Sequence, residues 1–190
     1  MTIARRMRLL ILMIFATAPA VYAQETQAAA AQSSPETVAE GKQRTESETR
    51  KRLEKLACGP SGVRFSQRTD KTPQALPEQP AERALIYVIR TKGVEGFMVQ
   101  AKLAMDGKWM GVNRTDDYFY FEAEPGPHYF CVKAGADGGL LSLVVEKGRT
   151  YYLRENLTMG GTDLDLLNEE QGKQYVAKFH RSVFEVKPKK

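Results

Sequence analysis

Two cysteines, two histidines and a few paired acids are the residues of this 190-residue chain whose types could do chemistry. Cys58 and Cys131 lie far apart and lack the paired ligand spacing of a zinc site. In an oxidising compartment a disulfide between them is expected, the alternative being two buried thiols. Such a link would contribute at most about 4–5 kcal/mol by loop closure. His128 follows Pro125-Gly126-Pro127 with no nucleophile motif beside it, which suits a ring bonded to the turn better than a general base. His180 falls at a predicted helix C-terminus, where partial positive charge is favourable. Asp116-Asp117 and the Asp163/Asp165 pair lack the twelve-residue pattern of a calcium loop and read as solvated loop acids. The Gly138-Gly139 and Gly160-Gly161 pairs serve turns, since no lysine or helix start follows in register. No catalytic residue, metal site or cofactor is expected.

The aromatic residues carry more information. Tyr118, Tyr120, Tyr129, Tyr151 and Tyr152 sit on adjoining predicted strands, and Trp109 stands beside a predicted turn. Those that face outward would form an interaction surface, and flat rings stack on sugars. The competing expectation is that one row packs the core while a C-terminal helix and the N-terminal arm cover the other.

The elements that must position these residues follow from periodicity and punctuation. Leu85 to Ile89 is a continuous apolar run, as in a strand buried on both faces. Phe97 to Met105 alternates, with Val99, Ala101, Leu103 and Met105 on one face. Asp106-Gly107 then predicts a type I′ hairpin returning through Lys108 to Val112. Tyr118 to Glu124 alternates again, and His128 to Lys133 returns after the Pro-Gly-Pro turn. Period-two parity places Phe130 and Val132 inward and Tyr129 and Cys131 outward. A disulfide from Cys131 would therefore pin the arm across the outside of the sheet. Leu140 to Glu146 and Arg149 to Asn156 are the last predicted strands. The count, about seven, is that of an antiparallel, immunoglobulin-like β-sandwich. Asn168 with Gln171 makes a capping box, and Tyr175, Val176 and Phe179 form one face of a short C-terminal helix.

Residues 1–23 read as a signal peptide. Arg5, Arg6 and Arg8 precede the apolar stretch Leu9 to Ala16, and Val21-Tyr22-Ala23 offers a cleavage site. Without those three arginines the chain has 25 basic side chains against 23 acidic, a net of +2. The remaining charges are interspersed and do not form a nucleic-acid stripe. Residues 24–57 form a charged arm too poor in apolar residues to fold alone, with a helical part starting near Ser34-Pro35-Glu36 and stopped by Gly59-Pro60. Residues 58–83 read as a Pro-rich linker with one edge strand at Val63 to Ser66, residues 84–180 as the sandwich with its helix, and residues 181–190 as a frayed tail.

Taken together, Ala84-Leu85-Ile86-Tyr87-Val88-Ile89-Arg90, Asp106-Gly107-Lys108-Trp109-Met110-Gly111, Tyr118-Phe119-Tyr120-Phe121 and Gly148-Arg149-Thr150-Tyr151-Tyr152-Leu153 resemble a bacterial domain-of-unknown-function family of exported β-sandwich proteins. The segment from Asp106-Gly107 to Pro125-Gly126-Pro127-His128 also resembles PEGA-type surface modules. The resemblance implies an envelope-associated, non-catalytic sandwich and supplies no catalytic residue. The expected function is a periplasmic or secreted binding or scaffolding module for an envelope protein or glycan. It would have no nucleic-acid partner and no transmembrane anchor once the signal is cleaved. The alternative is an enzyme or accessory protein of cell-wall or polysaccharide metabolism that uses Asp116, Asp117, Asp163 and Asp165. Its acid and base would have to lie within about 10 Å across a cleft.

Overall fold

The computed structural model describes residues 35–73, 75–93, 99–135, 138–158 and 161–187, with side chains from Thr45 onward. The expected signal peptide and the last three residues of the expected tail lie outside the described residues. Helix α1 (Pro35–Ala57) is followed by strand β1 (Arg64–Asp70), a linker, and strands β2 (Ala84–Arg90), β3 (Ala101–Met105) and β4 (Lys108–Asn113). Strands β5 (Asp117–Ala123), β6 (Gly126–Lys133), β7 (Gly138–Val145), β8 (Thr150–Thr158) and β9 (Gly161–Leu167) come next. Helix α2 (Glu169–Lys178) and strand β10 (His180–Lys187) end the described chain. The strands form a six-stranded sheet, ordered β1-β10-β5-β2-β8-β9, and a four-stranded sheet, ordered β4-β3-β6-β7.

The alternation read in the sequence builds the core. Ile86, Val88, Phe119 and Leu153 from the larger sheet meet Leu103, Phe130, Val132 and Val145. Each such burial is worth about 1.5–3 kcal/mol. Every residue of β2 is buried because the strand lies mid-sheet and is covered on both faces. Asp106 and Gly107 adopt φ of 49° and 79°, the two positive values that the type I′ hairpin between β3 and β4 requires.

The sandwich and its C-terminal helix are as expected, but the sheet inventory is larger. There are ten strands among the described residues, and two pairings, β2 with β8 and β10 with β5, are parallel. Residues 181–187, expected as tail, pair with β1 from Arg181 to Lys187, and His180 and Arg181 touch β5, so this backbone is satisfied within a sheet. The edge strand expected at Val63 to Ser66 is present and extends to Asp70. Asp163 and Asp165 lie on strand β9 rather than in a loop.

The arm is attached as parity required. Cys131 points away from the core on β6, and its disulfide to Cys58 holds the end of α1 against the outside of the smaller sheet with Ala57, Ala104 and Leu140. Arg50 donates to the Gly138 carbonyl at 2.7 Å, and Glu54 pairs with Lys133. Trp109 donates through Nε1 to the Pro60 carbonyl at 2.9 Å and lies under the turn after Cys58. A Cβ on Gly59 would fall 2.5 Å from that indole, so the turn needs glycine to sit so close.

Candidate functional site

Side-chain alternation on β2, β5 and β8 puts Tyr87, Tyr118, Tyr120 and Tyr152 on the outer face of the larger sheet, where Tyr87 is in register with both Tyr120 and Tyr152. Tyr87 and Tyr152 stack at 5.2 Å between centroids. Helix α2 lies over these rings. Its N-cap Asn168 accepts from the Gln171 N–H at 2.9 Å, and Val176 is buried among the rings with Tyr175 and Phe179 alongside. The approach depends on Gly172, since a Cβ there would lie 2.1 Å from Tyr152 Cγ. Burial raises the pKa of the Tyr87, Tyr118 and Tyr152 hydroxyls, so they stay protonated.

The six aromatic residues expected to share an interaction surface therefore do not form one. Tyr118, Tyr120 and Tyr152 belong to the layer beneath α2. Tyr151 packs against the inter-sheet core, and its hydroxyl accepts from the Glu146 N–H. Tyr129 and Trp109 lie on the opposite side of the molecule, on the outer face of the smaller sheet, and Trp109 is taken up by the arm. The correction has a simple cause: a row of apolar rings beside an amphipathic helix is buried by it.

What stays open is a groove where α2 ends. The C-terminus of β1 and the following linker, the last turn of α2 and the start of β10 converge around a cavity of about 420 Å³. Tyr118, Val176, Phe179 and Leu76 supply its apolar lining, and Lys71, Lys178, His180 and Arg181 its basic one. The Arg181 guanidinium lies over the Tyr120 ring at 5.1 Å. Asp70 is the carboxylate of this lining. Its Oδ1 accepts from the Thr72 N–H at 3.0 Å, and that bond holds the carboxyl below its usual range. Sequence reading set His180 at the helix C-terminus, whereas it opens β10 just beyond the cap at Phe179, and it gave no weight to Lys71, Lys178 or Arg181. Their proximity arises only when the supposed tail returns as a strand.

The acids of the enzymatic alternative are dispersed. Asp117, expected to be solvated, is 1% exposed. It accepts from Gln67 Nε2 at 2.7 Å and Thr69 Oγ1 at 2.9 Å, and burial raises its pKa. Asp165 pairs with Arg154 at 2.7 Å. Three strand spacings, about 14 Å, separate β5 from β9 in the sheet order, beyond the reach of an acid–base pair. His128 is bonded to its turn as expected, with Nε2 2.7 Å from the Glu124 carbonyl, and its Nδ1 also lies 2.6 Å from Asp106 Oδ2 of the β3–β4 hairpin. Burial lowers the pKa of its ring, but these two acceptors outweigh that effect and raise it.

One buried polar layer was not foreseen. Arg90 on β2 and Glu155 on β8 are adjacent in register, point between the sheets and are 1% and 0% exposed. Asn113 Nδ2 donates to the Val88 carbonyl and to Glu155 Oε2. Burial pushes the Glu155 carboxyl up to about 8, with Arg90 only partly offsetting it. The parity that sends Ile86 and Val88 inward also sends Arg90 inward, so the signal was present. Asn113 is also the first residue of an Asn-Arg-Thr sequon, and it is closed to solvent.

Residues 80–165 match the model of a family described as protein of unknown function (DUF2846). An uncharacterised protein of Haemophilus influenzae is 26% identical over 102 residues, covering 52% of this chain and 60% of that protein. The similarity thus spans less than two thirds of the relative. These matches bear out the resemblance to an uncharacterised family, and the shorter PEGA-like stretch lies inside the matched region without separate support. Lys71, Lys178 and Arg181 lie outside the matched residues. Among the described residues no helix is long and apolar enough to cross a membrane.

Proposed function

We propose that the protein is an exported, non-catalytic binding module of the cell envelope, and that its contact site is the basic groove at the end of α2. The observation that carries this reading is the convergence of the exposed Lys71 and Lys178 beside an apolar floor, while Asp117 is buried and Asp165 is paired with Arg154. Concave sites that combine an apolar lining with a few convergent polar groups are the usual form of a ligand site. Export is supported by the charged, then apolar, N-terminal segment and by the disulfide, a bond that persists mainly outside the cytosol. The arm serves as a spacer whose end is fixed to the sandwich by Cys58.

The test is crosslinking capture from intact envelopes by the tagged chain and by its Lys71→Ala/Lys178→Ala variant. Retention of one dominant component by the parent and its loss in the variant is the expected outcome. Turnover of an envelope substrate by the purified protein would overturn the proposal, as would equal capture by both forms.

A further inference from the structure

We infer that the free edge of β7 is a pairing surface for a second copy of this chain, the two β7 strands joining antiparallel across a two-fold axis at Ser142. Four strands end the two sheets, namely β1, β9, β4 and β7. Charge guards β1 through Arg64, Arg68 and Asp70, and β9 through Asp163 and Asp165. Strand β4 carries Lys108, and its Val112 carbonyl accepts from Ser182 Oγ at 2.6 Å. Strand β7, Gly-Gly-Leu-Leu-Ser-Leu-Val-Val, has no charged residue and no proline, the composition of an unguarded edge.

Tyr129, opposite Ser142, donates its N–H to Asp106 Oδ1 and accepts the Asp106 N–H at its carbonyl, each at 2.9 Å, so both groups point toward β3. Antiparallel partners alternate between bonding each other and facing away, so Ser142 turns its N–H and C=O to the edge, as do Leu140 and Val144. The same parity continues at both ends, where Arg50 donates to the Gly138 carbonyl and the Glu146 N–H donates to the Tyr151 hydroxyl. Between those stops the edge groups have no partner among the described residues. Leu141 and Leu143, whose side chains face the core, are only half-buried, whereas Phe130 and Val132 one strand further in are fully buried. Val144, on the outer face, is 66% exposed. A two-fold axis at Ser142 sets Val144 against the second copy's Leu140 and joins the two four-stranded sheets into one. It also brings the exposed Glu146 to the second copy's Gly138, where Arg50 sits. The strand is thus complementary to itself in charge as well as in backbone.

The experiment is sedimentation equilibrium of the full exported chain over a concentration series, with variants at Ser142. That side chain is exposed, so the variants should melt at the parent's temperature. The parent should populate a reversible dimer. Ser142→Lys opposes two like charges across the axis and should weaken dimerisation by about tenfold or more. An equal mixture of Ser142→Lys and Ser142→Asp chains should restore it. Register is read separately by mild oxidation. Cys58 and Cys131 are paired, so Ser142→Cys supplies the sole free thiol. Directly opposed residues of a hydrogen-bonded pair have Cα atoms about 5.5 Å apart, within disulfide reach, so this variant should form a covalent dimer. Val144→Cys, which faces Leu140, should not. A parent that stays monomeric would overturn the inference, as would capture of a strand from another protein at this edge in place of a second copy. So would a Ser142→Lys chain that dimerises like its parent, or a Val144→Cys chain that crosslinks as readily as Ser142→Cys.

Discussion

Replacing Gly172 with alanine should destabilise this protein, against the normal behaviour of helices. In a helix interior the change ordinarily gains about 1 kcal/mol, because glycine loses more backbone freedom on folding. Here the new Cβ would meet Tyr152 Cγ at 2.1 Å and both Cδ atoms at 2.4–2.5 Å. Tyr152 cannot turn aside freely, since it is 5% exposed and stacked on Tyr87. Overpacking of this kind costs about 1–3 kcal/mol, and contacts so far inside van der Waals distance belong in the upper part of that range. With the helix gain subtracted, a net loss of about 1–2 kcal/mol remains. Urea denaturation at constant m-value measures it, and a thermal melt should fall by about 2–8 °C. The same substitution made in a Tyr152→Ala background should change sign and stabilise, because the obstruction is gone. A Gly172→Ala protein as stable as its parent, or a cycle without that reversal, would refute the placement of α2 on the tyrosine layer.

Two other consequences can be measured on the purified chain. Removing the disulfide with Cys58→Ala/Cys131→Ala should cost at most about 4–5 kcal/mol, the loop-closure value for a separation of 73 residues. The emission of Trp109, the sole tryptophan, should shift to longer wavelength as the Cys58-Gly59-Pro60 turn lifts; unchanged emission would contradict the docking of the arm. Stability should also fall as pH rises from about 5 to about 8. Unfolded Glu155 ionises near 4.5, whereas the buried carboxyl keeps its proton to about 8, so in this window the unfolded chain binds fewer protons. Asp117, raised by burial, acts in the same direction. Glu155→Gln should flatten this slope in chemical denaturation series, and an unaltered slope would remove Glu155 as its source.

The sandwich was legible because its strands obey local rules. The apolar run of β2, the Asp106-Gly107 hairpin and the alternation of β5 and β6 each depend on neighbours within a few residues, and the parity of β6 was enough to place Cys131 outside the core. Strands β9 and β10 were missed for the opposite reason. Gly161–Leu167 begins at a glycine pair and carries two acids that read as loop, His180–Lys187 is rich in charge, and both become strands because the sheet offers them partners, β8 for the first and β1 and β5 for the second. The groove inherits that difficulty, since Lys71 and Arg181 are more than a hundred residues apart and meet only through β10. Parity alone could have found Arg90 between the sheets. A charged residue closing an apolar strand is instead easily read as its solvated end.

The account's central claim, that the groove rather than any other face meets an envelope partner, can be tested by site-specific photocrosslinking in intact cells. The probe would be placed at Leu76 on the lip of the groove or at Val144 on the outer face of the smaller sheet, positions 53% and 66% exposed. The account predicts a discrete adduct to an envelope partner from Leu76 that disappears with Lys71→Ala/Lys178→Ala, and from Val144 an adduct to a second copy of the chain only. An envelope partner captured at Val144 with none at Leu76 would contradict it.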